Sequence, residues 1–320
     1  MTSIKMVVVV VLVLGAMFAC HMELCKAKII GAFVLPHGGI ALDPSHFNTT
    51  NETSKAQAIA LHKAANDVGR KIRNLNPEVV FLSTPHGIAD MNDYLLYMNS
   101  AAFGFADTDN CQCPPCCFNL TASLDFQLSQ EILEKIGDRH KLNVSGVSGF
   151  GPPGNAGLFP LRWGEVIPLF FVGNSNKTKS VIMSQPSRRY NHSPQMIPEL
   201  LRLGGLLYSV LHSTKKDVVI VISADLAHTH DKDGPYGYSP AAEPFDQACG
   251  AWASTLEEDS LLETAASLVD DALSCGYTGL VMLHGLLRSA ELSTWRPHLY
   301  ANYHPSYYGM MVAEFLPDSL

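Results

Sequence analysis

Charge is scarce in this sequence. Asp, Glu, Lys and Arg make up 16% of 320 residues, and the basic ones are outnumbered 22 to 30, for a formal net charge of −8. No long basic run offsets that balance, Arg188 with Arg189 and Lys215 with Lys216 being short pairs. Nothing in the composition therefore seeks a phosphate backbone or an anionic lipid surface, so no nucleic-acid partner is expected and a small molecule fits better. A long apolar run is also missing beyond the N-terminal segment. None reaches the roughly 18 residues a membrane-spanning helix needs, so no membrane span is expected. No HExxH or GxSxG element occurs, which sets aside the zinc-protease and serine-hydrolase sites built on them. No repeat, low-complexity stretch or charged linker divides the chain, which argues for one domain. What is present is 47% hydrophobic side chains, enough to bury a large core and incompatible with a disordered or fibrous chain.

The N-terminus carries Lys5, an apolar stretch over 6–19 and then Cys25-Lys26-Ala27. One positive charge, an apolar core and small residues form the layout of a secretory signal peptide. Residues 1–27 are expected to be that leader, 28–320 the mature domain, and the protein to be secreted or held in the lumen of the secretory pathway. Sequons begin at Asn48, Asn51, Asn119, Asn143, Asn176 and Asn191, which agrees with a glycoprotein. Cys111, Cys113, Cys116 and Cys117 crowd together, and Cys249 and Cys275 stand apart. The Cys113-Pro114-Pro115-Cys116 spacing suits thiol–disulfide exchange, and four thiols could hold zinc. An oxidising compartment favours disulfides that pin a loop, with the pairing open.

From residue 28 onward, strand-like and helical stretches alternate. Strands are predicted over 29–35, 77–83, 166–172, 217–223 and 310–315. Helices are predicted over 54–74, 123–135, 194–212, 244–256, 261–268 and 279–290. Such alternation predicts an α/β fold, a layered α/β/α single domain with a mixed central sheet. Three strands run into histidine: Pro36-His37-Gly38-Gly39, Pro85-His86-Gly87 and Ala224-Asp225-Leu226-Ala227-His228. Sites in layered α/β proteins gather at the carboxyl ends of strands, so a shared histidine-lined pocket is expected. Two neutral imidazoles with one anionic ligand leave open positions on a divalent ion, the arrangement of non-haem Fe(II) oxygenases. A further histidine could move protons near neutral pH. Asp225 is a candidate to orient His228 or a water. His230, two residues on, is a candidate for substrate contact if the segment is extended. Tyr236, Tyr238 and Phe245 could offer aromatic faces to a ligand pocket or pack in the core. Gly149-Phe150-Gly151-Pro152-Pro153-Gly154 matches a dinucleotide fingerprint only formally, because two prolines remove amide donors and no helix opens there.

The three histidine stretches, followed in order by Gly234-Pro235-Tyr236-Gly237-Tyr238, Phe245-Asp246, Cys275-Gly276-Tyr277 and Tyr307-Tyr308-Gly309-Met310, resemble the class III extradiol ring-cleavage dioxygenases. The likeness is to the catalytic chains of that family, in a single-chain branch, and more distantly to Memo-like proteins. It implies a non-haem Fe(II) enzyme that opens the ring of a catechol-like substrate with O2, and it is compatible with a homo-oligomer. His37 and His86 would hold the metal, and His228 would act as catalytic base and later as acid. The family's third ligand is a Glu, where this sequence has Ser274. Cys275 is a candidate replacement, since Memo-like proteins use a Cys in this region. Asp270 and Asp271, about one turn upstream, are others. A thiolate ligand would shift preference toward copper or zinc. The alternatives are a Memo-like metal-binding protein without ring cleavage, and a metal-dependent hydrolase on the same scaffold.

Overall fold

In this computed structural model, residues 28–140, 142–154, 157–173 and 177–318 are described. The expected leader over 1–27 and the sequon at Asn176 lie outside them. The first strand, β1 (Lys28–Leu35), is followed by a short helix α1 (Gly39–Leu42) and the long helix α2 (Glu52–Leu75). The Asn51 side chain caps α2 by accepting the Thr53 and Ser54 N–H groups at 2.9 and 3.3 Å. Such a cap satisfies donors that have no partner inside the helix. Its buried positions Ala58, Leu61, Ala65, Val68 and Ile72 recur every three or four residues, the stripe that seats a helix on a sheet.

The chain continues through β2 (Val79–Thr84), β3 (Tyr94–Tyr97), β4 (Ala101–Ala106), β5 (Phe118–Ser123), α3 (Phe126–His140), β6 (Val144–Val147) and β7 (Phe159–Leu161). Then come α4 (Trp163–Val172), β8 (Lys179–Ser184), α5 (Arg189–His192), α6 (Ile197–Ser213), β9 (Asp217–Ser223) and α7 (Ala242–Thr255). A π-helical turn, Ser260–Ala265, leads into α8 (Ala266–Ala272), and α9 (Tyr277–Ser289), β10 (Trp295–Tyr303) and β11 (Met310–Pro317) close the fold.

Eight strands form one sheet in the order β10-β11-β1-β9-β2-β8-β3-β6, and β5-β4-β7 form a small second sheet. The central run β1, β9, β2, β8 is parallel, whereas β11 joins β1 and β3 joins β8 antiparallel. The sheet is therefore mixed, as expected. Its central strands read as unbroken apolar runs because both faces are covered. Ala32, Val34, Val218 and Ile220 pack with residues of α3, α6, α7 and α9 on one face. Phe33, Leu35, Val219 and Val221 pack with α2, α4 and the small sheet on the other.

The strand expected at 166–172 is instead the helix α4. A short, wholly buried apolar run does not distinguish strand from buried helix by periodicity. The local signal for a helix was Glu165, whose carboxylate accepts the Arg162 N–H at 3.0 Å, one half of a capping box. Cys111 bonds to Cys116 and Cys113 to Cys117. The two cysteines of the C-x-x-C spacing are thus joined to other partners, and their role is to pin a loop. Asn48, Asn51, Asn119, Asn143 and Asn191 are all exposed.

Candidate metal centre

Pairing of β9 with both β1 and β2 sets Leu35 opposite Ser223 and Ser83 opposite Ile222. The loops that carry His37, His86 and Asp225 therefore leave the sheet side by side. His37 is buried, its N–H donating to Asp225 Oδ1 at 3.0 Å and its Nδ1 lying 2.9 Å from Ser223 Oγ. The Ser223 hydroxyl donates to the Gly164 carbonyl at 2.6 Å, so its oxygen is left to accept from His37 Nδ1–H. That fixes the tautomer and turns the lone pair of Nε2 toward the interior. The His86 ring stands edge-on to His37 with centroids 4.8 Å apart.

Cys275 arrives from the other side. Leu273, in the left-handed region at φ 55°, ends α8 and reverses the chain. The Gly276 N–H then donates to the Asp225 carbonyl at 3.0 Å. A Cβ at Gly276 would lie 2.5 Å from that of Ala224, so only glycine lets the chain approach the end of β9 this closely. The Cys275 Sγ thereby comes to 3.3 Å from His37 Nε2, and donors of His37, His86 and Cys275 all lie within 4.8 Å of one another. Asp225 Oδ2 is also 3.3 Å from His37 Nε2. Of the other third-ligand candidates, Asp270 and Asp271 are exposed, and Ser274 donates its hydroxyl to the Asp225 carbonyl.

These donors fit a divalent cation. Two imidazole nitrogens and a sulfur lie within 4.8 Å of one another, with the Asp225 carboxyl beside His37, and none of these groups carries charge in the metal-free protein. Burial holds His86 down to about 3, pushes Asp225 up to about 8 and pushes the Cys275 thiol up to about 12. A cation would displace the protons that keep this cluster neutral. Two imidazoles and a thiolate suit copper, zinc or iron.

The centre opens into a cavity of about 280 Å³ whose wall includes His228, Trp163, Tyr236, Tyr307, Tyr308 and Asp109. His228 Nδ1 lies 2.9 Å from the Leu226 carbonyl and donates to it, which leaves Nε2 as an acceptor. The ring is stacked over Tyr308 at 5.8 Å and meets Tyr236 edge-on at 5.8 Å. Burial holds His228 down to about 4, so at neutral pH it is an uncharged base. The Leu226 carbonyl orients it; the Asp225 carboxylate instead holds the His37 backbone.

His230 lies outside the cavity wall. The chain bends at His228, and His230 bridges to Tyr238 and contacts Asp246. Tyr236 joins the wall, whereas Tyr238 faces solvent and Phe245 is buried in the core. Trp163, Asp107 and Asp109 were not foreseen as wall residues. Asp109 accepts the Tyr308 hydroxyl at 3.2 Å. The only sequence signal for it was a polar stretch just before the clustered cysteines, which hold that loop in place.

Behind the centre, Glu165 is fully buried and accepts the Tyr97 hydroxyl at 2.6 Å. Burial pushes its carboxyl up to about 7. The folded chain therefore keeps a proton that the unfolded chain releases near 4.5, so stability is full below about 4.5 and falls as pH rises toward 7. The contribution is about 3 kcal/mol. Glu165→Gln is expected to remove that part of the slope, read as urea midpoints of metal-free protein across this window. An unchanged slope would reject the assignment.

Comparisons with known proteins bear on the family and the fold. Residues 31–313 match the family described as the catalytic LigB subunit of aromatic ring-opening dioxygenase. A curated protein of Clostridium acetobutylicum, Protein CA_C1420, is 25% identical over 272 residues, which are 82% of this chain and 52% of that protein. The chain thus spans about half the length of that relative. The crystal structure of the uncharacterized protein JW3007 from Escherichia coli K12 superposes with a TM-score of 0.52 at 13% identity, over 89% of this chain and 99% of that one, and shares the fold. The chain belongs to the family of the catalytic LigB subunit of aromatic ring-opening dioxygenases.

Proposed function

We propose that the protein is a secreted non-haem Fe(II) dioxygenase that opens the ring of a catechol-like substrate with O2, the metal being held by His37, His86 and Cys275. The observation that carries this reading is convergence. His37, His86 and an uncharged base, His228, face one cavity walled by aromatic rings, and the buried Cys275 closes the donor cluster from behind the two imidazoles. The cation would supply Lewis acidity and electron transfer between an aromatic diol and O2. The chain supplies the rest. Trp163, Tyr236 and Tyr308 offer ring faces and edges to a planar substrate. His228 Nε2 takes a hydroxyl proton and later returns it. The exposed sequons and the two disulfides support an oxidising, secretory setting.

One observation favours a second reading, a Memo-like copper-binding protein without ring cleavage. It is the thiol of Cys275 beside two imidazoles, with Ser274 standing where the dioxygenases carry a carboxylate, since sulfur prefers copper to iron. Anaerobic reconstitution with Fe(II), followed by O2 uptake with a panel of catechols, separates the two. One O2 consumed per catechol with a yellow ring-opened product supports the dioxygenase. Tight copper retention with no O2 uptake in either metal form would replace it with the second reading.

A further inference from the structure

His230 belongs to a different cluster from the one that lines the cavity. It follows β9; Glu243 and Asp246 sit one turn apart at the start of α7; His304 follows β10. His230, Glu243 and His304 each present a donor atom, and these atoms lie within 4.8 Å of one another. His230 Nε2 is 2.8 Å from Asp246 Oδ2, and His304 Nε2 is 3.1 Å from Glu243 Oε2. The two imidazole rings lie face to face, 3.9 Å apart and 2° from parallel.

We propose that His230, His304 and Glu243 form a second divalent-cation site, of the zinc type, separate from the His37, His86 and Cys275 centre. Asp246 is the supporting group. Its Oδ1 accepts the Ala227 N–H at 2.9 Å, so Oδ2 is directed at His230. Its place is tight, because a Cβ at Gly309 would lie 1.9 Å from Oδ2. A carboxylate on one imidazole nitrogen fixes the tautomer and leaves the other nitrogen, Nδ1, for the metal. Depth is graded: the Asp246 and His230 side chains are 6% and 4% exposed, those of Glu243 and His304 54% and 41%. A cation can therefore enter from solvent against a fixed inner pair, with the His304 ring turning out of its stack to present Nε2. Two imidazole nitrogens, one carboxylate oxygen and a water make a four-coordinate set without sulfur, which suits Zn2+. The ion would tie the β9 loop to α7 and to the end of β10. It would also steady the cavity wall, since the His230 N–H donates to the Tyr307 carbonyl at 3.1 Å.

Titration of the metal-free full chain with Zn2+ alone, by calorimetry and equilibrium dialysis, tests the site. Wild type is expected to bind two equivalents, His304→Ala one, Cys275→Ser one and the double variant none. Glu243→Gln should weaken the second equivalent at least tenfold. With Co2+ as probe, the near-ultraviolet thiolate band should persist in His304→Ala and vanish in Cys275→Ser, which tells the failure of one site from the failure of the other. Zn2+ stoichiometry unchanged by His304→Ala, or a single equivalent in wild type that only Cys275→Ser removes, would overturn the proposal.

Discussion

Serine in place of Cys275 lowers metal occupancy of the His37 and His86 centre by about a hundredfold or more and stops O2 uptake with it, a loss at or above the range for removing a ligand's supporting contacts. The substitution is nearly isosteric and Cys275 is a buried neutral thiol, so the metal-free fold should persist while the ligand is lost. A hydroxyl does not ionise under these conditions and cannot replace a thiolate. The same chemistry gives a pH dependence with a definite sign. The thiol, pushed up to about 12, must lose its proton as the metal enters. Wild-type affinity therefore rises with pH, and Cys275→Ser should release fewer protons per metal bound. Calorimetry in two buffers of different ionisation enthalpy counts those protons, and metal analysis after dialysis reads the occupancy. Cys275→Asp should restore iron in preference to copper, because a carboxylate is the harder ligand. Wild-type occupancy in Cys275→Ser would remove the thiol from the centre.

The histidines of this site were legible in the sequence because His37, His86 and His228 come within a few residues of the ends of buried strands. The apolar runs ending at Leu35, Thr84 and Ser223 are unambiguous, and Pro and Gly beside His37 and His86 mark the exit from the sheet. Adjacency of β1, β9 and β2 then brings the three loops together. The third metal donor was narrowed to Cys275, Asp270 and Asp271 without being settled. The choice depends on the reversal at Leu273, a non-glycine residue in the left-handed region that no propensity announces. His230 shows the same limit. Two residues after His228, it would share that side chain's face in an extended chain, but a bend sends it to Asp246 instead. Trp163 escaped because α4 is apolar on nearly every side and reads as a strand. Asp107 and Asp109 escaped because they follow a short strand of the small sheet, and a disulfide-pinned loop carries no periodicity.

His228→Gln is the complementary experiment, because it leaves the three metal donors in place. Removing a positioned acid–base group costs about 10²–10⁴ in turnover, so kcat should fall by that factor while metal content stays at the wild-type level. Acid stability supplies an independent readout. Burial holds the His228 imidazole down to about 4, whereas the unfolded chain takes up its proton near the ordinary histidine value of about 6.5. Between those values the unfolded state binds more protons, so folded stability drops as pH falls through this window. The drop is at most about 3 kcal/mol. Glutamine does not titrate, and the metal-free variant should therefore lose less stability between about pH 6.5 and 4. For wild type, the low folded value keeps the base unprotonated, and turnover should not show an acid limb near 6.5. Stability that falls as steeply with acid in His228→Gln as in wild type, together with unchanged kcat, would show that this imidazole is neither buried in neutral form nor the proton carrier. Loss of turnover with full metal content and a flattened acid limb of stability would tie both effects to the His228 ring.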